Sequence, residues 1–115
     1  MISQRGEIWW VALDPTKGHE LRKTRPAVVV SLPAMTAATG MAWVVPLTGT
    51  NRGWIFHVAI PAGRETGLRN ASFAMVEQLR SVDVARLSGK LGAVRGEALT
   101  AIDDKLRLVL GWPPA

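Results

Sequence analysis

A chain of 115 residues, 48% of them hydrophobic, is long enough for one compact core and too short for two ordinary domains, so residues 1–115 are read as a single domain. With no cysteine it excludes disulfides, thiolate metal sites and a cysteine nucleophile, and no apolar run approaches the roughly 18 residues of a membrane span. Fourteen basic residues against nine acidic ones leave a formal charge of +5, and ten of the fourteen are arginine, whose planar fork of donors suits phosphate. A polyanionic partner is therefore favoured, and the excess lies before residue 96, since Lys105 and Arg107 are outnumbered by Glu97, Asp103 and Asp104 in the tail. The start of the chain lacks the charged and apolar regions of a signal peptide, which makes the cytoplasm the expected location.

In chain order, Ile8 to Leu13 alternates inward and outward as a first strand, ended by Asp14-Pro15 because proline supplies no ladder donor. A polar loop follows, gathering Lys17, His19, Glu20, Arg22 and Lys23, and the chain re-enters the sheet at Thr24-Arg25-Pro26 for a second strand to Val30. The small residues from Ser31 to Gly40 form a connection with room for a helical turn. Met41 to Thr48 reads as a buried strand whose Pro46 points to an edge or a bulge. After the polar loop Thr48 to Gly53, a strand is predicted from Trp54 to Ile60, turn chemistry from Pro61 to Gly67, and one long strand from Ala71 to Val82. A helical turn at Asp83 to Leu87 and a short strand at Lys90 to Val94 complete the sheet.

Leu99, Ile102, Leu106, Val109 and Leu110 then recur at helical spacing and lay one apolar stripe, with Gly111 as terminator and Pro113-Pro114 beyond. Many short strands followed by one long helix predict a mainly β, α+β fold. It is a curled, mostly antiparallel sheet or small barrel covered on one side by the C-terminal helix. Trp9, Trp10 and Trp43 lie within strands, where at least two should serve as core or dimer contacts, and Trp112 should cap the barrel.

No metal cage is legible. His19 and His57 share no ligand spacing, and Asp103-Asp104 sit on a predicted solvent-facing helix beside Lys105 and Arg107. GxxxxGK, GxGxxG and GxSxG patterns are missing as well, so no cofactor is implied.

Gly6-Glu7-Ile8-Trp9, Leu13-Asp14-Pro15-Thr16, Arg25-Pro26 and, more weakly, Gln78-Leu79-Arg80-Ser81-Val82-Asp83 carry a resemblance. From Arg5 to about Leu110 the chain resembles the MazF/PemK/Kid toxins, metal-independent endoribonucleases of bacterial type II toxin–antitoxin pairs. The resemblance implies an SH3-like barrel of the MazF/CcdB toxin fold and a symmetric homodimer. It also implies sequence-specific cleavage of single-stranded mRNA that arrests growth, and a cognate antitoxin with an acidic disordered segment.

It implies, further, that Arg25 and Thr48 are the catalytic pair. RNA needs no metal for its own cleavage, because the ribose 2′-OH can attack the neighbouring phosphate and expel the 5′-oxygen, leaving a 2′,3′-cyclic phosphate. Deprotonating a guanidinium is costly, so Arg25 is read as phosphate clamp and proton donor, with Thr48 hydrogen-bonding the scissile phosphate or its nucleophile. A subset of the family uses a first-loop histidine with an acid and an arginine on a late strand. Here His19 and Glu77 match, but the arginine position is Met75, so His19, Glu20 and Glu77 are given auxiliary roles. Lys17, Asn51, Arg52, Trp54, Gln78 and Arg80 are the expected RNA-binding residues, with Gln78 and Arg80 sharing one face of a strand. Two rivals remain: a gyrase-binding poison of the CcdB type, which would make Trp112 decisive, and a non-catalytic RNA-binding barrel.

Overall fold

The apolar runs at Val28-Val29 and Val44-Val45 belong to strands buried on both faces, and these strands form the middle of the sheet. A computed structural model describes residues 3–13 and 24–113. In order they form β1 (Glu7–Ala12), β2 (Thr24–Val29), α1 (Pro33–Thr39), β3 (Met41–Thr48), β4 (His57–Ile60), β5 (Ser72–Met75), β6 (Arg80–Asp83), β7 (Leu87–Ala93) and α2 (Gly96–Leu110). Antiparallel pairing runs β4-β5-β3-β2-β1-β7, with β6 also paired to β3.

Registered rows explain the two cores. Ile8 faces Val28, which faces Val45, and this row packs with Leu47, Val58, Ile60 and the Ile102 face of α2. The alternate residues Trp9, Val11, Ala27, Val29 and Val44 make a second cluster with Val82 and Leu87 on the opposite face. Helix α2 lies across β4 and the 3₁₀ turn Val76–Gln78. Its predicted stripe is only partly used: Leu99, Ile102 and Leu106 meet the core, whereas Val109 and Leu110 stay exposed beyond the sheet. Trp112 is 67% exposed and caps nothing, because α2 runs past the sheet before Gly111 ends it at φ 70°. Of the three strand tryptophans, Trp9 is core and Trp10 and Trp43 are exposed.

Three other expectations change. Ala71 to Val82 is not one strand, because β3 takes β5 at Leu47 and Thr48 and β6 at Met41 to Val44, and the chain between must bend through Val76–Gln78. Pro46 lies in a central strand, not at an edge. It faces Ala27 on the β2 side and falls between the β6 and β5 pairings on the other, an interval that asks no ladder donor of it. The strand expected from Trp54 begins only at His57.

The sheet also curls without closing, since β4 and β7 are not paired. The segment 61–68 spans that side: the Ala93 N–H donates to the Glu65 carbonyl at 2.9 Å, and the buried Thr66 hydroxyl donates to the Pro61 carbonyl at 2.8 Å. Backbones approach so closely here that a Cβ at Gly92 would overlap the Glu65 carbonyl oxygen, and one at Gly67 would overlap that of Leu91.

At the N-terminus, Gly6 (φ 94°) donates to the Val29 carbonyl at 2.7 Å, and its carbonyl accepts from Val94 at the same distance. Glu7 Oε1 accepts from the Gln4 N–H (2.8 Å) and the Trp9 indole N–H (2.9 Å), while Oε2 pairs with Lys90 at 3.0 Å. Arg5 grips Asp103 of α2 with two hydrogen bonds of 2.8 and 2.7 Å. Burial alone would raise the pKa of Glu7, but the hydrogen bonds from Gln4, Trp9 and Lys90 outweigh it and hold the carboxyl below its ordinary 4.5. A depressed folded pKa contributes stability that is complete above the unfolded value and is lost as pH falls through the folded one. Unfolding free energy should therefore decline as pH falls from about 4.5, with a shallower decline in Glu7→Gln. Equal acid-side slopes for the two proteins in denaturant titrations would refute this account of Glu7.

Candidate functional site

One end of β3 and the break between β5 and β6 build a cleft of about 260 Å³, lined by Arg25, Thr48, Thr50, Arg52, Gln78 and Arg80 over Leu13, Pro46 and Met75. Its polar residues come from four places in the chain. Arg25, the second residue of β2, stands in register with Val11, so a rigid ladder fixes its Cα while the half-buried side chain reaches the cleft. Thr48 ends β3 opposite Phe73. Its hydroxyl oxygen accepts from the Thr50 N–H at 3.2 Å, closing the turn at the strand end, and a hydroxyl so engaged keeps its own proton to donate.

Arg52 arrives on the loop after β3, and its guanidinium carbon lies 5.5 Å from the Trp54 ring centroid, within cation–π range. Gln78 is on the 3₁₀ turn and not on a strand, yet its Oε1 accepts from Arg80 Nη2 at 3.4 Å, so the two residues still converge. Arg80 Nε is buried and has no partner among the described residues. No carboxylate lines the cleft, and none pairs with Arg25 among the described residues, since Glu7 is taken by Lys90. Three guanidiniums beside two hydroxyls and an amide suit a phosphodiester with its adjoining polar groups. No group of three His, Asp or Glu that could hold a metal ion occurs among the described residues.

The remaining candidates are distributed differently. Asn51 does not line the cleft; its Oδ1 accepts from the Gly53 N–H at 3.0 Å, which shapes the loop. Trp54 is also outside the lining and packs between Arg52 and His57. Met75, where the alternative mechanism would have an arginine, lies on the cleft floor. Glu77 is turned to His57: Oε2 and Nε2 are 3.0 Å apart, with the imidazole side chain only 4% exposed. Lys17, His19 and Glu20 lie outside the described residues.

Sequence reasoning gave His57 no role. It opens β4, its N–H donates to the Trp54 carbonyl at 3.1 Å, and its ring lies 5.1 Å from that of Trp54. Thus Arg52, Trp54, His57 and Glu77 form a continuous run of contacts from the loop on one wall of the cleft to the turn on the other. A lone histidine on a half-buried strand gave no signal, because its partner is 20 residues away.

The pattern of the family described as PemK-like, MazF-like toxin of type II toxin-antitoxin system matches residues 4–110. The chain is 39% identical over 115 residues to endoribonuclease MazF9 of Mycobacterium tuberculosis, covering 95% of this chain and 97% of that relative. Its fold is similar to the crystal structure of MazF from Deinococcus radiodurans, with a TM-score of 0.82 and 28% identity over 96% of this chain and 98% of that one. A MazE–MazF crystal structure from the same organism aligns with a TM-score of 0.78 and 25% identity, covering 98% of this chain and 99% of that one.

Removing the imidazole would leave the Glu77 carboxylate without its partner and uncover one side of Trp54. His57→Ala should cost about 1–3 kcal/mol of stability. Glu77→Gln, which keeps a hydrogen-bonding group, should cost less. Denaturant midpoints check this, and an unchanged midpoint in His57→Ala would show that the pair holds nothing in place.

Proposed function

The chain belongs to the PemK-like, MazF-like toxins of type II toxin–antitoxin systems, and on that premise we propose that it is a sequence-specific endoribonuclease of single-stranded RNA. On this reading residues 1–115 form one toxin domain that works in the cytoplasm as a homodimer, without a metal ion, to stop translation. The observation that carries the proposal is the cleft, which Arg25, Arg52 and Arg80 line together with Thr48 and which no acidic residue lines among the described residues. No described helix is long and apolar enough to cross a membrane.

In the proposed reaction the 2′-oxygen forms a bond to phosphorus while the bond from phosphorus to the 5′-oxygen breaks. The 2′ proton passes to a base, for which His19 and Glu77 are the candidates, with Glu20 in an auxiliary role. Arg25 binds a non-bridging phosphoryl oxygen and protonates the departing 5′-oxygen. Thr48 donates its hydroxyl hydrogen to the phosphate, holding it in line for attack. Arg52, Gln78 and Arg80 hold the neighbouring nucleotides, with Trp54 keeping Arg52 in position and Lys17 and Asn51 as outer contacts. Products are a 2′,3′-cyclic phosphate and a 5′-hydroxyl.

Cleavage should persist in EDTA, and a 2′-O-methyl sugar at the cleaved position should bind and survive. Loss of one aimed donor to a developing oxyanion costs roughly 10²–10³ in rate, so Arg25→Ala and Thr48→Ala should each fall by about that factor while remaining folded. Absolute dependence on magnesium, or cleavage of the 2′-O-methyl substrate, would overturn the mechanism. Growth arrest in cells that survived both substitutions but not Trp112→Ala would favour the gyrase-binding alternative, a comparison motivated by the exposure of Trp112.

A cationic cleft also suits an inhibitor that is acidic and extended. A cognate antitoxin should present such a segment, disordered when free, to the surface around Arg25, Arg52 and Arg80. RNA and antitoxin should then compete, and both should weaken as salt rises. Titrating antitoxin against RNA bound to Thr48→Ala checks this, and a ternary complex with undiminished RNA affinity would exclude direct competition.

A further inference from the structure

The loop after β3 and the 3₁₀ turn Val76–Gln78 supply opposite walls of the cleft, and one side chain outside the lining is tied to both. His57 stands in register with Met75 of the cleft floor, and Phe73, two residues earlier on β5, pairs with Thr48. Paired residues of antiparallel strands point to one face, and alternate residues of a strand do the same. His57, Met75 and Thr48 therefore all belong to the face of the sheet that carries the cleft.

What the imidazole holds decides what it can do. On the loop side Trp54 packs between it and Arg52, with 5.1 Å between the two rings and 5.5 Å from the guanidinium carbon to the indole. On the turn side Nε2 lies 3.0 Å from Glu77 Oε2, and Glu77 is the chain neighbour of Gln78. Arg52 and Gln78 are thus each one residue removed from the same buried ring. Other bonds already set the path of the chain: the Val76 N–H donates to the Phe56 carbonyl at 3.3 Å, the His57 N–H to the Trp54 carbonyl at 3.1 Å, and the Gly53 N–H to Asn51 Oδ1 at 3.0 Å. None of these three determines where Arg52 or Gln78 points. Long side chains on a loop and a turn lose rotamer freedom when a ligand orders them, and that cost falls if their supports are fixed beforehand. The guanidiniums of Arg52 and Arg80 also repel across the unoccupied cleft, and a side-chain tie between the walls opposes their spreading.

We propose that His57 is a positioning residue for RNA binding, joining the loop wall to the turn wall through Trp54 and Glu77 and so placing Arg52 and Gln78 before RNA arrives. The proposal rests on the ribonuclease reading and adds to it a determinant of affinity that touches neither the RNA nor the reacting atoms.

Two half-replacements separate the arms of the tie. His57→Phe keeps a ring against Trp54 and removes the hydrogen bond to Glu77, whereas His57→Gln keeps a donor for Glu77 and removes the ring. The assay is steady-state cleavage of an RNA that the native protein cuts at one site, with the active enzyme titrated. Each variant should raise KM by roughly threefold or more, the scale of one hydrogen bond or one aromatic contact, and leave kcat within about twofold. The effect of His57→Phe should vanish in a Gln78→Ala background and persist in Arg52→Ala, and that of His57→Gln should do the reverse. A merely structural role would reduce the folded fraction, and hence the apparent kcat, at unchanged KM. Where one variant does not fold, the other carries the test with its own pair of backgrounds. A smaller rise in KM in the folded variants, losses that multiply unchanged in both backgrounds, or a loss confined to kcat would overturn the positioning role alone. Absence of cleavage by the native protein on any RNA would overturn the ribonuclease reading and the positioning role with it.

Discussion

Strand β3 has one edge and two claimants to it, and much of the site follows from how that edge is divided. β6 takes Met41 to Val44 and β5 takes Leu47 and Thr48, while β2 fills the opposite edge. Two strands adjacent in sequence can share one edge only if the link between them turns sharply, and Val76–Gln78 does so, with Val76 buried beneath α2, Glu77 turned to His57 and Gln78 directed outward. The same division leaves the last residue of β3, Thr48, beside that turn. Arg25 comes to them through the register of β2 with β1. The cleft is thus a by-product of strand pairing: its walls are held by backbone ladders, and its side chains are left to meet a ligand.

Electrostatics distinguishes the cations of the cleft from those that anchor the scaffold. Arg5, Lys90 and Arg107 each have a carboxylate, in Asp103, Glu7 and Asp104. Arg25, Arg52 and Arg80 have none among the described residues; Arg52 has an aromatic face and Arg80 an amide. Three like charges around one small cleft repel, at a cost that screening limits but does not remove. A fold stabilised by two core clusters and by anchors elsewhere can bear this strain, and a bound polyanion relieves it. The convergence of three such cations on one cleft is therefore a physical argument for a polyanionic ligand that net charge alone could not make.

How much was legible follows from where each signal resides. Alternation marked β1, the valine runs marked β2 and β3, and the spacing of Leu99, Ile102 and Leu106 marked α2, because burial writes these patterns into local sequence. The break at Val76–Gln78 was not legible: Phe73, Met75, Val76, Leu79 and Val82 keep a strand-like composition throughout, and the reason for the bend is the pairing of β3, some thirty residues earlier in the chain. Pro46 was misread for a related cause, since a proline is excluded from a sheet interior only where its missing donor is needed. Glu77 was given an auxiliary role by the resemblance, and its contact with His57, 20 residues away, had no local signal. Arg25, Thr48, Arg52, Gln78 and Arg80 did converge: the resemblance paired Arg25 with Thr48, while strand alternation and loop position brought in the other three.

The residues most responsible for the resemblance are not, for the most part, those that line the cleft. Gly6 ties β1 to β2 and to the end of β7, Glu7 gathers Gln4, Trp9 and Lys90, Ile8 stands at the centre of the main core, and Trp9 anchors the second cluster. A chain could keep every one of them and lose Arg25 or Thr48, and it would still fold and still resemble the same proteins. Family membership therefore rests chiefly on residues that specify the scaffold, and chemistry on a smaller set that the scaffold brings together. In this chain the smaller set is intact at the cleft, while Met75 stands where the alternative arrangement has an arginine and His57 supplies a partner for Glu77. The combination accords with the Arg25–Thr48 pair that the resemblance implies and on which the proposed reaction rests.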